Sequence, residues 1–127
     1  MKLVIGGYAQ GKLNYVLQKY SIQSNLIWES ELPDRKGPVD KTVIVNHFHE
    51  WMKKEIAKGR CPEEEILSLV ETYPNLIILS DEIGNGIVPV DAFEREYRER
   101  TGRILIELAK RAEGVERVIC GIGQKIK

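Results

Sequence analysis

The residues of this chain with the clearest chemical potential lie directly after its first apolar run. A glycine-rich loop follows Ile5 and consists of Gly6, Gly7, Tyr8, Ala9, Gln10 and Gly11. Gly6 and Gly11 bracket four residues, so successive backbone N–H groups can turn inward around an anion, and Lys12 adds a positive charge where the next helix begins. This spacing predicts a phosphate-binding loop and therefore a nucleotide site.

The position after Lys12 departs from the phosphate-binding pattern. That pattern ends in Ser or Thr, whose hydroxyl is a ligand of the Mg²⁺ that bridges the phosphates, whereas Leu13 offers only methyl groups. We therefore expect GTP or ATP as the substrate at this loop. The side chains at this loop give only weak support for the binding of Mg²⁺, and no dedicated metal-ligating residues are predicted.

Length and charge limit the classes of protein that this chain can belong to. Its 127 residues suffice for one domain, spanning 1–127. Nineteen basic residues balance nineteen acidic ones, so no overall field would draw the chain to nucleic acid or to an anionic membrane. Cys61 and Cys120 lack metal-type spacing and are expected to be reduced thiols. Without a signal-like or membrane-spanning stretch, the sequence predicts a cytoplasmic protein.

Short apolar runs alternate with helical patterns along the chain. The apolar runs cover residues 2–5, 26–28, 42–45, 76–79 and 117–122, and the helical patterns cover 12–20, 49–58, 63–73 and 91–112. Runs without polar alternation are typical of strands buried on both faces, and their alternation with helices favours a parallel sheet. We predict an α/β fold of the P-loop NTPase-like, three-layer type, with a mainly parallel five-stranded sheet and the ligand site above its carboxyl edge.

Titratable residues follow the third and fourth runs at that edge. His47 and His49 are the two histidines of the chain. One of them could act as an acid, a base or a nucleophile, and the alternative is a strand-end position without chemistry. Asp81 and Glu82 could bind a metal or orient a substrate hydroxyl, or they could accept backbone N–H bonds in a turn.

The segment after Asp81 resembles that of a known family. It reads Glu82-Ile83-Gly84-Asn85-Gly86-Ile87-Val88-Pro89. The adenosylcobinamide kinase/adenosylcobinamide-phosphate guanylyltransferase family of cobalamin biosynthesis typically reads Asn-Glu-Val-Gly-x-Gly-Ile-Val-Pro there. The likeness continues through Gly102-Arg103 to the terminal residues 121–127, and the glycine loop occupies the same place in the order.

The resemblance implies an activity and a set of site residues. The family phosphorylates the adenosylcobinamide side-chain hydroxyl with ATP or GTP, then transfers GMP from GTP to that phosphate, and its members form homo-oligomers. By resemblance, Lys12 would neutralise charge between the phosphates and Glu82 would position Mg²⁺ or substrate. No family motif carries over to His47, which is a candidate catalytic residue because it lies just beyond the third strand at the ligand-binding edge. Nucleotide contacts are expected from loop residues 6–13 and from the strand-end residues Trp28, Glu29, Ser30 and Asn46.

This chain also departs from the family pattern. No histidine occurs in residues 28–41, where the family carries the histidine that takes up the guanylyl group. Asn46 stands where the family has an acid that would help to hold hydrated Mg²⁺. A diverged, non-catalytic relative that binds a nucleotide or corrinoid as a sensor or partner subunit is therefore the alternative prediction, and a P-loop kinase for another small molecule is a third.

Overall fold

The structure is a computed structural model and describes residues 1–22, 26–34, 39–83 and 90–127. The family-like residues 84–89 lie outside these ranges. The described elements, in chain order, are β1 (Lys2–Gly6), α1 (Lys12–Tyr20), β2 (Ile27–Glu29), β3 (Val43–Asn46), α2 (Phe48–Ala57), α3 (Pro62–Thr72), β4 (Leu76–Asp81), α4 (Ala92–Arg111), β5 (Gly114–Ile119) and β6 (Ile122–Lys125).

The strands form one sheet in the order β2-β3-β4-β1-β5-β6, and five of these six described strands run parallel. The α/β prediction is confirmed. The predicted last run, residues 117–122, is divided between β5 and an antiparallel β6, which gives one strand more than expected. The turn between them has Cys120 and Gly121 at φ of 50° and 75°. Positive φ at both central residues matches the twist of a two-residue hairpin.

Side chains of the central strands alternate between two apolar clusters, one on each face of the sheet. Val43, Val45 and Ile78 belong to the cluster covered by α2, α3 and α4. Ile44 and Ile77 belong to the smaller cluster covered by α1. This alternation follows from the two-residue repeat of a strand, and it explains why the central strands are apolar at every position. The predicted three-layer arrangement is thereby confirmed.

The helices begin and end within one or two residues of the predicted positions. Pro62 opens α3, and the side chain of Asp91 accepts a 2.8 Å hydrogen bond from the backbone N of Phe93 at the start of α4. Both residue types favour helix starts, by a pre-set φ and by capping respectively. Within the described ranges, no helix has the length and apolar character needed to cross a bilayer.

An ion pair joins α3 to α4 through two hydrogen bonds. Arg100 Nε lies 2.7 Å from Glu63 Oε1, and Arg100 Nη2 lies 2.9 Å from Oε2. Hydrogen bonding from Arg100 lowers the pKa of the Glu63 carboxyl, although partial burial opposes the shift. The pair therefore stabilises the fold above the ordinary carboxyl pKa, and this contribution is lost as the pH falls through the lowered value.

We expect Glu63→Gln to reduce the free energy of unfolding by about 1 kcal/mol at pH 7, because a charge-assisted, two-bond contact is lost. The difference from the wild type should shrink as the pH falls through the lowered pKa of Glu63, because the protonated carboxyl no longer forms an ion pair with Arg100. Urea unfolding at several pH values measures this. Glu99→Gln is the matched control, since the Glu99–Arg103 pair is about two-thirds exposed on both sides and should contribute little. A pH-independent loss at Glu63 would contradict the expectation.

Candidate functional site

Strand register places four chemically distinct residues along the carboxyl edge of the sheet. Gly6 at the end of β1 is paired with Asp81 at the end of β4. Glu29 at the end of β2 is paired with Asn46 at the end of β3. Because β2, β3, β4 and β1 are consecutive parallel neighbours, these strand ends form one continuous row.

The glycine loop leads from β1 into α1 and brings Lys12 back over the strand ends. Gly11 at φ 84° and Ala9 at φ 55° adopt left-handed backbone conformations that turn the chain sharply. The Lys12 side chain is only 8% exposed, and its Nζ donates to the Gly7 carbonyl at 2.8 Å and to Asp81 Oδ1 at 2.7 Å. The ammonium is thus held at the base of the loop, beside a carboxylate.

The loop is braced by the hairpin between β5 and β6. The Gln10 side-chain Oε1 accepts a 2.7 Å bond from the Cys120 backbone N, and the Gln10 carbonyl accepts a 2.8 Å bond from Gly121 N. Sequence reasoning did not predict this contact, because Gln10 and Cys120 are 110 residues apart and no local pattern links them. The shape of the loop therefore depends on the far end of the chain.

A second polar group surrounds Glu29. Asn46 Nδ2 donates to Glu29 Oε1, and His47 Nδ1 lies 2.7 Å from Oε2. Burial alone would raise the pKa of the Glu29 carboxyl, but the hydrogen bonds from Asn46 and His47 lower it overall. His47 precedes α2 in the left-handed region, with φ 52° and ψ 47°. Such backbone strain in a residue other than glycine is often found at functional sites.

These groups line a single cleft of about 410 Å³. Its lining consists of the loop residues Tyr8, Ala9, Gln10, Gly11, Lys12, Leu13 and Asn14, together with Glu29, Asn46, His47 and Asp81. The volume lies within the range of sites for small molecules and cofactors. Apart from His47, the charged residues that line the cleft are Lys12, Glu29 and Asp81.

The structure brings most of the predicted site residues to this cleft but not all of them. Gly6 and Gly7 lie beneath Lys12, which contacts both carbonyls. Trp28 packs against the larger apolar cluster, and the Ser30 hydroxyl donates to Glu50 Oε2 at 2.9 Å; neither lines the cleft.

Glu82 lines a different cavity, of about 580 Å³, where its carboxylate pairs with Arg117 at 2.7 Å. The residue that faces Lys12 is its neighbour Asp81. From the sequence, Asp81 and Glu82 are both predicted as possible ligands of a metal or a substrate hydroxyl, and Glu82 is also predicted as a catalytic residue. Since consecutive residues at a strand end point to opposite faces, one of the two had to leave the cleft. The register of β4 against β1 decides which, and the catalytic role of Glu82 stays a prediction.

The cleft residues are compatible with Mg²⁺ only as a partner of a bound phosphate. In the described ranges, no group of three or more His, Cys, Asp or Glu side chains is arranged to hold a metal. Mg²⁺ usually keeps several waters and binds through one or two carboxylates plus substrate phosphates. Asp81 supplies such a carboxylate, whereas Leu13 supplies no oxygen.

The fold is an α/β architecture with a polar-lined cleft at the carboxyl edge of a mostly parallel sheet. Residues 29–126 match the CobU family, described as cobinamide kinase / cobinamide phosphate guanyltransferase. This match covers well over half of the sequence, so the chain belongs to the CobU family. The glycine loop and Lys12 precede the matched residues.

Two curated relatives agree with this assignment. The bifunctional adenosylcobalamin biosynthesis protein CobU of Salmonella typhimurium (strain LT2) is 40% identical over 75 residues, which are 56% of this chain and 41% of the relative. The protein of the same name from Escherichia coli (strain K12) is 40% identical over 52 residues, 41% of this chain and 29% of the relative. The matched part of the chain thus spans less than half the length of either relative.

We expect Gly6→Ala to destabilise the base of the loop, because a Cβ at this position would lie 2.6 Å from the Val118 carbonyl oxygen of the adjacent strand. Backbone cannot yield as a side chain can, so a loss of about 2 kcal/mol in unfolding free energy is expected. Gly102→Ala is the matched control. Its Cβ would meet nothing within 4 Å in the middle of α4 and should stabilise by about 0.5–1 kcal/mol. Thermal unfolding compares them, and equal midpoints would contradict the close approach.

Proposed function

We propose that the chain binds a purine nucleoside triphosphate in the Lys12 cleft and acts as a short, diverged kinase of the CobU family. The acceptor would be the hydroxyl of an adenosylcobinamide-type corrinoid. The proposal rests on the observation that three features lie in the same cleft. They are the glycine loop, the buried Lys12 side chain, and His47, which is oriented by the Glu29 carboxylate. Family membership supports the reaction class.

Lys12 is suited to polyphosphate because its Nζ is already fixed at the base of the loop by Gly7 and Asp81. The start of α1 adds the partial positive charge of a helix N-terminus. A bound triphosphate would exchange part of the contact between Lys12 and Asp81 for contacts to phosphate oxygens. Lys12 would then neutralise charge that develops as the γ-phosphoryl group leaves.

His47 is the histidine placed to take the acceptor proton. Its Nδ1 is occupied by Glu29 and its ring lines the cleft, so the orientation leaves Nε2 for substrate. The acceptor oxygen would attack the γ-phosphorus, its proton would pass to His47 Nε2, and the nucleoside diphosphate would leave. His49 is unsuited to this role, because it is buried and both of its ring nitrogens lie against Asp81.

When bound with the nucleotide, Mg²⁺ would supply charge neutralisation across the β- and γ-phosphates. Asp81 is the side chain that would hold the hydrated ion, once Lys12 has turned to the phosphates. Guanylyl transfer requires a nucleophile in addition, and His47 is the candidate that the cleft offers. Association into a homo-oligomer is likewise part of the proposal and rests on the family alone.

A second candidate function is favoured by two cleft residues. Leu13 brings no hydroxyl and Asn46 brings no charge, and Asn46 is engaged with Glu29. A nucleotide- or corrinoid-binding sensor or partner subunit would need the loop but not these metal contacts. Magnesium-independent nucleotide binding without turnover or a covalent adduct would favour this second function.

Calorimetric titration with GTP and with ATP, each with and without Mg²⁺, tests nucleotide binding. We expect Lys12→Ala to weaken binding at least about tenfold, because the charge-assisted contacts to phosphate are lost. Lys54→Ala, at an exposed position in the last turn of α2, is the matched control and should bind like the wild type. Absence of heat with both nucleotides in the wild type would refute the proposal.

His47→Asn is expected to lower kcat for phosphoryl transfer by about 10²-fold or more with little change in nucleotide KM, because the group that receives the proton is removed. Glu29→Gln should lower kcat about tenfold through weaker orientation of the imidazole. Glu31→Gln, at an exposed position two residues further on, serves as the control. Mass spectrometry after incubation with GTP also tests for a phosphoramidate on His47. Full turnover in His47→Asn would remove this residue from the mechanism.

A further inference from the structure

His49 contacts Asp81 at two points. The Asp81 backbone N donates to His49 Nδ1 at 3.1 Å, and His49 Nε2 lies 3.4 Å from Asp81 Oδ2. Since Nδ1 accepts a hydrogen bond, the ring proton belongs on Nε2, where it faces the carboxylate. The His49 side chain is 9% exposed.

The backbone hydrogen bond and the 3.4 Å approach place His49 beside both the backbone and the side chain of Asp81. Oδ2 lies toward His49, and Oδ1 accepts a hydrogen bond from Lys12 Nζ at 2.7 Å. Asp81 is 14% exposed and Lys12 8% exposed, so solvent screens their contact poorly. His49, Asp81 and Lys12 thus form a continuous chain of polar contacts from the first turn of α2 to the glycine loop.

This chain of contacts has a consequence for an anionic ligand. A carboxylate that is held beside Lys12 competes with phosphate for the ammonium and repels phosphate directly. Glu29 adds a second negative charge to the same lining. A divalent cation brought in with the phosphates reverses the effect of Asp81, because the carboxylate then faces a positive charge.

We propose that His49 is a positioning residue which, by orienting Asp81 toward Lys12, makes polyphosphate binding in this cleft depend on a divalent cation. The inference rests on the proposed function and goes beyond it. It states that the contact between His49 and Asp81 determines whether the cleft binds free nucleotide or nucleotide with its metal ion. His49 itself touches neither nucleotide nor metal.

A double-mutant cycle tests the proposal. The measured quantity is the Kd of a non-hydrolysable GTP analogue in EDTA divided by its Kd in excess Mg²⁺, determined by calorimetry for the wild type, Asp81→Asn, His49→Leu and the double variant. We expect Asp81→Asn to lower this ratio at least about tenfold, and His49→Leu to lower it about fivefold or more. The double variant should equal Asp81→Asn, because His49 acts through the carboxylate. Independent, multiplying effects would overturn the proposal.

His49→Gln separates positioning from a general loss of structure. Its amide N–H can replace the Nε2–H donor toward Asp81, so we expect the ratio to return to within about threefold of the wild type. A His49→Gln protein that folds normally but behaves like His49→Leu would show that orientation of the carboxylate is not the cause.

A nitrogen-15 NMR experiment on the nucleotide-free protein examines the same contact without ligand. We expect the neutral tautomer with the proton on Nε2 of His49, and a shift of the Asp81 amide resonance in His49→Leu that is larger than in His47→Asn. The tautomer with the proton on Nδ1 would overturn the proposal. If no nucleotide binds the wild type under either condition, the proposed function fails, and with it the role in cation dependence. The NMR result then reports whether His49 nevertheless holds Asp81.

Discussion

The whole site depends on the register of the parallel strands. Pairing of Gly6 with Asp81, and of Glu29 with Asn46, places the polar ends of consecutive strands side by side. A shift of one residue in β4 would turn Asp81 away from Lys12 and bring Glu82 toward the cleft, because neighbouring strand positions face opposite sides. Because β4 carries apolar residues on both faces, with Ile77 and Ile78 in different clusters, burial alone discriminates poorly against such a shift.

The buried ion pair between Lys12 and Asp81 stabilises the nucleotide-free protein, in addition to its role in the proposed chemistry. The Lys12 side chain is only 8% exposed, and its ammonium would be costly to bury without a partner; here the Gly7 carbonyl and the Asp81 carboxylate accept its hydrogen bonds. A ligand must therefore replace these contacts rather than enter a neutral void. Affinity will reflect the difference between two well-bonded arrangements, which is a small quantity that single groups can alter.

Local sequence patterns were sufficient for much of the architecture. The glycine loop, the bounds of α1 and the central apolar strands follow from composition, spacing and helix-start chemistry. The choice between Asp81 and Glu82, the pairing of His47 with Glu29 and the contact between Gln10 and the hairpin could not be read in this way. Each joins residues from separate elements, so each depends on register or on strand order. The division of residues 117–122 was missed because Cys120 adopts a positive φ that its residue type does not indicate.

The bonds from Cys120 and Gly121 to Gln10 bear on how the molecule matures during synthesis. Cys120 follows Gln10 by 110 residues, so the glycine loop leaves the ribosome well before the amides that fix Gln10. Nascent β1 and α1 can form early, but the loop between them acquires its final curvature only when the hairpin folds back along the sheet. The earlier of these two segments is thus completed by the later one, and a ribosome-bound intermediate that lacks the hairpin would carry an unfinished cleft.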